Sequence, residues 1–388
     1  MTKVLVYYNF SYPLGGGDYL PLTFISELQN MSSVTLAVDS RAGFERALQC
    51  FDVHIDKSRI NIAQLMPQGY AASRHTFVHS FIRNVRLKKL ARNADICISA
   101  SNIIDFGRPA YHFINFLIGV DAKFRFITDH VNPPRTSVAQ QFKHFLSETI
   151  LRSFLNVRSK RKIIHDPREH FYLPSVYVQK LMTDFYGSFR NEIFYPPTVF
   201  APRFDNVARD PLRVVYLGRI SPEKHVPDIC EIVEKARVLS GKDLKLIIAG
   251  PHDKNSMLVK DIQSRISCNP WISMFDGAFG ETKNKLLLSG TYAVHARRNE
   301  EFGISITEYL KSGLIPIVPD EGGSCEVVDN RDLTYHTNEE AANILVKLLN
   351  DPEFHEQQHR RCEERAKAFS KDAYMDRQHR LLQDIVES

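Results

Sequence analysis

Short apolar and β-branched runs recur along the chain, separated by longer helix-compatible stretches. In the first half the runs are KVLVYYNF (3–10), SVTLAVDS (33–40), ADICISAS (94–101) and FRFITDH (124–130), with helical stretches at 18–30, 77–93 and 136–156. EIFYPPTVF (192–200) closes this half as extended chain, because a residue before proline is pushed out of the α region. After the connector APRFDNVARDP (201–211) the alternation restarts with LRVVYLGRI (212–220), a helix at 226–240 and LKLIIAGP (244–251). It continues with a helix around 255–267, WISMFDG (271–277), a helix at 282–289, YAVHAR (292–297), a further helix and LIPIVPD (314–320). The tail from 338 is charged and helical in pattern.

Strands interleaved with helices at this spacing predict parallel βαβ units. Two such series joined by a connector predict an α/β protein of two doubly wound, Rossmann-like domains facing across a cleft. The expected division is 1–200, a linker at 201–211, a second domain at 212–370, and a C-terminal helix at 371–388 free to cross back to the first domain. A length of 388 residues suits two domains of ordinary size. No apolar run approaches the roughly 18 residues of a membrane span. MTKVLVYYNFSYP lacks the basic start, apolar core and cleavage site of a signal peptide. Six scattered cysteines include no Cys-x-x-Cys pair, which fits a reduced, cytoplasmic location.

The net charge of +5 conceals an asymmetry: +9 over residues 1–200 and −4 over the rest. The basic excess concentrates in FIRNVRLKKLARN (81–93) and LRSFLNVRSKRKIIH (151–165). Solvated helix faces account for this, as does an anionic surface, either a membrane or an acceptor. With no recognition motif beside the charge, nucleic acid is not expected.

Candidate chemistry sits where the strands end. Gly15, Gly16 and Gly17 follow the first strand and precede a helix, where glycines permit positive φ and close approach of a phosphate or sugar. Gly218 and Arg219 follow the first strand of the second domain, and Lys224 lies five residues further on. Two cations there suit the oxygens of a diphosphate. RRNEEFGISITEYLKSGLIPIVPDEGG (297–323) places Glu300 and Glu308 around Phe302-Gly303 at a predicted helix start. Carboxylates at such a place either cap the helix or accept hydrogen bonds from a hydroxyl-rich ligand.

The order of a glycine-rich first loop, GRISPEKH, LKLIIAGP, EEFGISITEYLKSGLIPIV and GGSCEVV resembles the nucleotide-sugar glycosyltransferases of GT-B fold, in particular the large retaining family four, the group-one type. The resemblance spans essentially the whole chain and is most specific in the second half. It implies that the carboxylate matching Glu308 accepts from the donor's ribose hydroxyls, and the one matching Glu300 faces the hydroxyls of the donor sugar. Backbone N–H groups of Phe302, Gly303 and Ile304 would point at sugar or diphosphate. Gly16, Gly17, Gly218, Arg219 and Lys224 complete the donor site. His130, in FRFITDHVNPP, matches a first-domain histidine that faces the donor sugar. Two departures are EYLKSG, where an Ala-rich helix is usual, and Glu301, at a position often held by Gly.

The function so implied is retaining transfer of a sugar, as a hexosyltransferase, from a UDP- or GDP-sugar to an acceptor hydroxyl in polysaccharide, lipopolysaccharide or glycolipid biosynthesis. The acceptor would be a glycan or lipid-linked, and the protein cytoplasmic or peripheral on the inner face of a membrane. A GT-B nucleotide-sugar epimerase and a non-catalytic sugar-nucleotide-binding partner subunit are the rival readings. No Asp-x-Asp pair is present to hold a divalent ion, so no cofactor and no metal are expected, only the donor as co-substrate. HEQQH (355–359) fits His-Glu-x-x-His, but its polar surroundings do not suit a zinc-protease helix.

Overall fold

The computed structural model describes residues 1–10, 14–51, 53–66, 76–115, 117, 157–198, 208–278 and 280–388. These fall into two compact units, residues 1–196 with 376–388, and residues 197–375. The strand and helix expected at 124–130 and 136–156, His130, and most of the connector lie outside the described residues.

The first unit holds the parallel strands β1 (Lys3–Tyr8), β2 (Ser33–Val38), β3 (Ile60–Gln64), β4 (Ile96–Ser99), β5 (Tyr111–Phe113), β6 (His170–Leu173) and β7 (Asn191–Ile193), in the order β3-β2-β1-β4-β5-β6-β7. Its helices are α1 (Tyr19–Met31), α2 (Arg41–Cys50), α3 (Thr76–Ala91), α4 (Lys160–Ile164) and α5 (Val176–Tyr186). Val4 to Tyr8 are all buried, as expected of a central strand covered on both faces.

The second unit restarts the pattern with β8 (Arg213–Leu217), α6 (Val226–Ser240), β9 (Lys245–Gly250), α7 (Met257–Cys268), β10 (Ile272–Asp276), α8 (Gly280–Ser289) and β11 (Tyr292–Val294). It continues through α9 (Ile304–Lys311), β12 (Ile315–Pro319), α10 (Gly323–Val328), β13 (Thr334–Tyr335), α11 (Asn338–Asn350), α12 (Pro352–Lys367) and α13 (Lys371–Glu387). Its strand order is β10-β9-β8-β11-β12-β13, all parallel. Residues 376–388 of α13 belong to the first unit. There Gln378 Nε2 donates to the Thr23 carbonyl of α1 at 3.2 Å, and Leu382 and Ile385 are buried.

Several elements of the first unit had no signal in the sequence pattern. Strands β3, β5 and β6 and helix α2 are short, and β5 and β6 contain His112 and His170 rather than a clean apolar run. His112 is tolerated in the core because its Nε2 lies 3.0 Å from Glu169 Oε2, itself fully buried. Glu169 also accepts from Ala110 N at 2.8 Å and from Arg158 Nη2 at 2.7 Å.

The basic stretches are only partly solvated faces. Lys88 and Arg158 converge on Asp105, at 2.7 and 3.0 Å, while Arg83 bonds Tyr7 and Arg86 bonds the Leu65 carbonyl. Lys89, Arg92, Arg161 and Lys162 remain exposed.

Candidate functional site

In the second unit the chain runs outward from β8 in one direction through β9 and β10, and in the other through β11 to β13. The order therefore reverses between β8 and β11. In an open parallel sheet, a ligand binds beyond the carboxyl ends of the strands at such a reversal. Gly218, Arg219 and Lys224 follow β8, and His295 to Gly303 follow β11, so the predicted donor residues of this half flank that point.

Lys224 and Glu300 meet directly, with Nζ 2.5 Å from Oε2. The same carboxylate lies 3.2 Å from His295 Nε2, and its Oε1 lies 3.4 Å from Arg297 Nη1. Arg297 also reaches Glu301 Oε2 at 3.2 Å. Burial alone would raise the Glu300 pKa, but Lys224, Arg297 and His295 outweigh it and hold the carboxyl well below its usual range. The adjacent Glu301 goes the other way. Burial pushes it up, Arg297 opposes this, and the Glu300 charge adds to the rise. One glutamate of the pair is thus kept ionised while its neighbour resists ionisation.

Neither predicted glutamate caps the helix. The N-cap of α9 is Gly303, at φ +100° and ψ 63°, a conformation open mainly to glycine. Ile304 is the first helical residue, where backbone N–H groups have no acceptor within the helix. Glu308 sits in the body of α9, buried, with Oε1 2.6 Å from Lys283 Nζ on α8. The Tyr309 hydroxyl accepts from Leu217 N at 2.7 Å and lies 3.1 Å from Leu217 O, which pins α9 to the end of β8. Glu308 is thereby tied to the same strand end as Gly218 and Arg219.

The Glu300 loop is clamped from the next strand's end. Gly323 N donates to Glu300 O at 2.7 Å. A Cβ on Gly322, whose φ is +87°, would lie 2.5 Å from the Arg298 carbonyl oxygen, and one on Gly323 would lie 2.5 Å from that of Glu301. Only glycines allow α10 to start this close.

Arg219 is half-exposed, its Nη2 3.9 Å from Glu223 Oε1. In the first unit Gly16 and Gly17 form a tight 3₁₀ turn with Asp18, whose carboxylate accepts from Gly15 N at 2.7 Å. Gly15 is extended (φ −137°), so positive φ is not what requires glycine there. Among the described residues, a Cβ on it would meet nothing within 4 Å.

The sequence reading did not single out His295, Arg297 or Lys283. A lysine in a helix reads as solvated surface, and only the fold reveals that Lys283 faces Glu308.

Residues 201–369 match the family model described as glycosyl transferases group 1. That match takes in most of the second unit. A curated relative, the GDP-Man:Man(3)GlcNAc(2)-PP-Dol alpha-1,2-mannosyltransferase of Yarrowia lipolytica, is 29% identical over 156 residues. That match covers 35% of this chain and 24% of the relative, so it spans about a quarter of that protein's length. Among solved structures, Anabaena HepE in complex with UDP and glucose is 14% identical over 100% of both chains, with a TM-score of 0.67. Sucrose-phosphate synthase from Thermosynechococcus elongatus is 14% identical over 99% of both, with a TM-score of 0.73. These likenesses establish the fold of two Rossmann-like units found in GT-B glycosyltransferases.

Proposed function

We propose that the chain is a retaining glycosyltransferase that moves a sugar from a UDP- or GDP-sugar to an acceptor hydroxyl of a glycan or lipid-linked substrate. The observation that carries this reading is the cluster at the strand-order reversal. An ionised Glu300, the cations Lys224 and Arg219, and the free start of α9 lie beside a second carboxylate, Glu308, fixed to the same strand end. A nucleotide-sugar presents two hydroxyl-rich ends joined by a diphosphate, and this cluster offers acceptors at two places with donors between them.

Glu300 faces the hydroxyls of the donor sugar. Arg219, Lys224 and the N–H groups at Gly303 and Ile304 neutralise the diphosphate as charge builds on the leaving phosphate. With Oε1 held by Lys283, Glu308 turns Oε2 to the ribose hydroxyls. The leaving phosphate takes the acceptor's proton, and no enzyme carboxylate becomes glycosylated. The family resemblance also assigns His130, Gly16 and Gly17 to the donor.

The exposed Lys89, Arg92, Arg161 and Lys162 support a peripheral place on an anionic membrane, beside a lipid-linked acceptor. Among the described residues, no helix is long and apolar enough to cross a membrane. The UDP in the HepE complex and the GDP-mannose named for the Yarrowia lipolytica relative are the two donor types to try first.

The test is thermal melting against a panel of UDP- and GDP-sugars, followed by product analysis with the sugar that binds. A donor present at 100 times its Kd stabilises the fold by about 2.7 kcal/mol, which is readily seen. Transfer with the anomeric configuration kept supports the reading. Binding of no nucleotide, or conversion of the donor to another sugar nucleotide without an acceptor, overturns it.

A further inference from the structure

His295 stands at the end of β11 with an imidazole that is 1% exposed. Its backbone is fixed on both sides. Its N–H donates to the Ile317 carbonyl at 3.0 Å, and its carbonyl accepts from the Tyr335 hydroxyl at 2.7 Å. Among the described residues, the ring itself has no hydrogen-bond partner at either nitrogen. Nε2 lies 3.2 Å from Glu300 Oε2, close enough to meet the carboxylate once the two are aligned. A buried ring nitrogen without a partner is costly and needs a reason. An apolar side chain would fill the same space without that penalty.

The reason lies in the competition for Glu300 Oε2. Lys224 holds that oxygen at 2.5 Å, yet Lys224 is also placed to meet a diphosphate. When a phosphate draws the ammonium away, the oxygen loses its main partner while the sugar must still be met by a correctly aimed carboxylate. His295 is the neighbouring donor whose backbone cannot move. Burial, and then the charges of Lys224 and Arg297, lower its pKa despite the opposing pull of Glu300. This favours the neutral ring, which can carry its one proton on Nε2, towards the carboxylate.

We propose that His295 is a positioning residue, which takes over Glu300 Oε2 from Lys224 when the donor binds and keeps the carboxylate aimed at the sugar. This rests on the glycosyltransferase reading above. It assigns a role that the sugar contacts themselves do not require: Glu300 is passed between two donors, one that binds the phosphate and one that never leaves.

The experiment compares His295→Leu and His295→Gln with wild type in three measurements: melting temperature, calorimetric affinity for the free nucleoside diphosphate, and kcat with the donor sugar identified for the wild type. Because His295 acts only through Glu300, His295→Leu is expected to lower kcat by roughly 10- to 100-fold, the scale of an ångström-level misplacement. Nucleoside diphosphate affinity should stay within a few-fold of wild type. His295→Gln, which can donate from its amide, should recover a large part of the loss. If the Leu variant fails to fold, the Gln variant still decides: near wild-type kcat supports the role, and a loss of kcat with unchanged nucleotide affinity and melting overturns donation as its basis. An active wild type with an equally active, folded Leu variant overturns this proposal and leaves the glycosyltransferase reading standing. A wild type that transfers no sugar overturns both.

Discussion

Lys283 Nζ and Glu308 Oε1 are 2.6 Å apart, both side chains about nine-tenths buried and carried on different helices. The pair fixes one oxygen of the carboxylate proposed to receive the ribose and leaves the other available. Two consequences follow from one geometry. The pair makes Glu308 rigid, and it makes Lys283 dependent on Glu308 for its charge to be tolerated.

Glu308→Ala should therefore fail in two separable ways. Loss of hydrogen bonds to a charged acceptor, worth about 1.5–3 kcal/mol, weakens nucleoside diphosphate binding by roughly 10- to 150-fold. Leaving a buried ammonium unpaired costs a further amount in stability, on the order of 3–5 kcal/mol. Replacing both partners, Lys283→Met with Glu308→Ala, should restore most of the melting temperature without restoring the affinity, because a buried pair replaced by apolar groups is often neutral. A double variant that regains nucleotide binding would show that Glu308 acts only through stability.

Glu300→Ala should behave differently. The substitution removes the carboxylate from between Lys224 and Arg297, so both cations become freer to meet a diphosphate. Affinity for the free nucleoside diphosphate should hold or tighten, while kcat falls by about 10²–10³-fold, as when a preorganised electrostatic partner is lost. Calorimetry and steady-state rates on the same preparation settle this. A loss of nucleotide affinity as large as that of Glu308→Ala would mean the two roles are wrongly assigned.

The second unit was readable in the sequence almost strand by strand because most of its strands, β8, β9, β11 and β12 among them, are apolar runs buried on both faces. The helix expected at 226–240 is α6 itself, and β8, β9, β10 and β12 lie inside the runs read for them. The first unit was less readable for a physical reason. Strands of three or four residues, such as Tyr111–Phe113 and His170–Leu173, depend on tertiary pairing rather than on a pattern of their own. At the candidate site, Glu300, Gly303 and Glu308 were singled out by their place at a helix start and by the family resemblance. Lys283 and His295 were not. Charged and polar residues reveal their burial only when a partner distant in sequence is brought against them, 25 residues away for Lys283.

The exposed part of the basic surface should govern any binding to anionic vesicles. Lys88 and Arg158 are committed to Asp105, so substituting Lys89, Arg92, Arg161 and Lys162 by glutamine should remove most of the binding. Each exposed cation is worth on the order of 1 kcal/mol near such a membrane. Sedimentation with anionic and neutral liposomes at low salt measures it. Equal binding to the two kinds of vesicle would rule out the membrane surface as a partner.

Transfer should survive excess chelator nearly unchanged, since Arg219, Lys224 and the start of α9 are proposed to neutralise the diphosphate. Activity abolished by chelator and restored only by a divalent ion would assign that role to a metal instead.

Lys311 supplies a test that needs no substrate. It lies in the last turn of α9, half-buried. Burial lowers its pKa to about 8, with Glu308 opposing the fall and Lys283 and Lys371 adding to it. The sign follows from which state binds the proton. Between pH 8 and about 10.5, the ordinary lysine value, the unfolded chain keeps the proton that the folded chain has released, so stability contributed by this group rises with pH. Below pH 8 both states are charged, and the fold bears a constant penalty for holding the ammonium. Lys311→Met should therefore melt higher than wild type at pH 7, and its advantage should shrink as pH climbs from 8 to 10. Taking the difference between the two proteins at each pH cancels the other groups that titrate in the alkaline range, including the buried tyrosines. A difference that stays flat across that interval would show that Lys311 keeps an ordinary pKa in the fold.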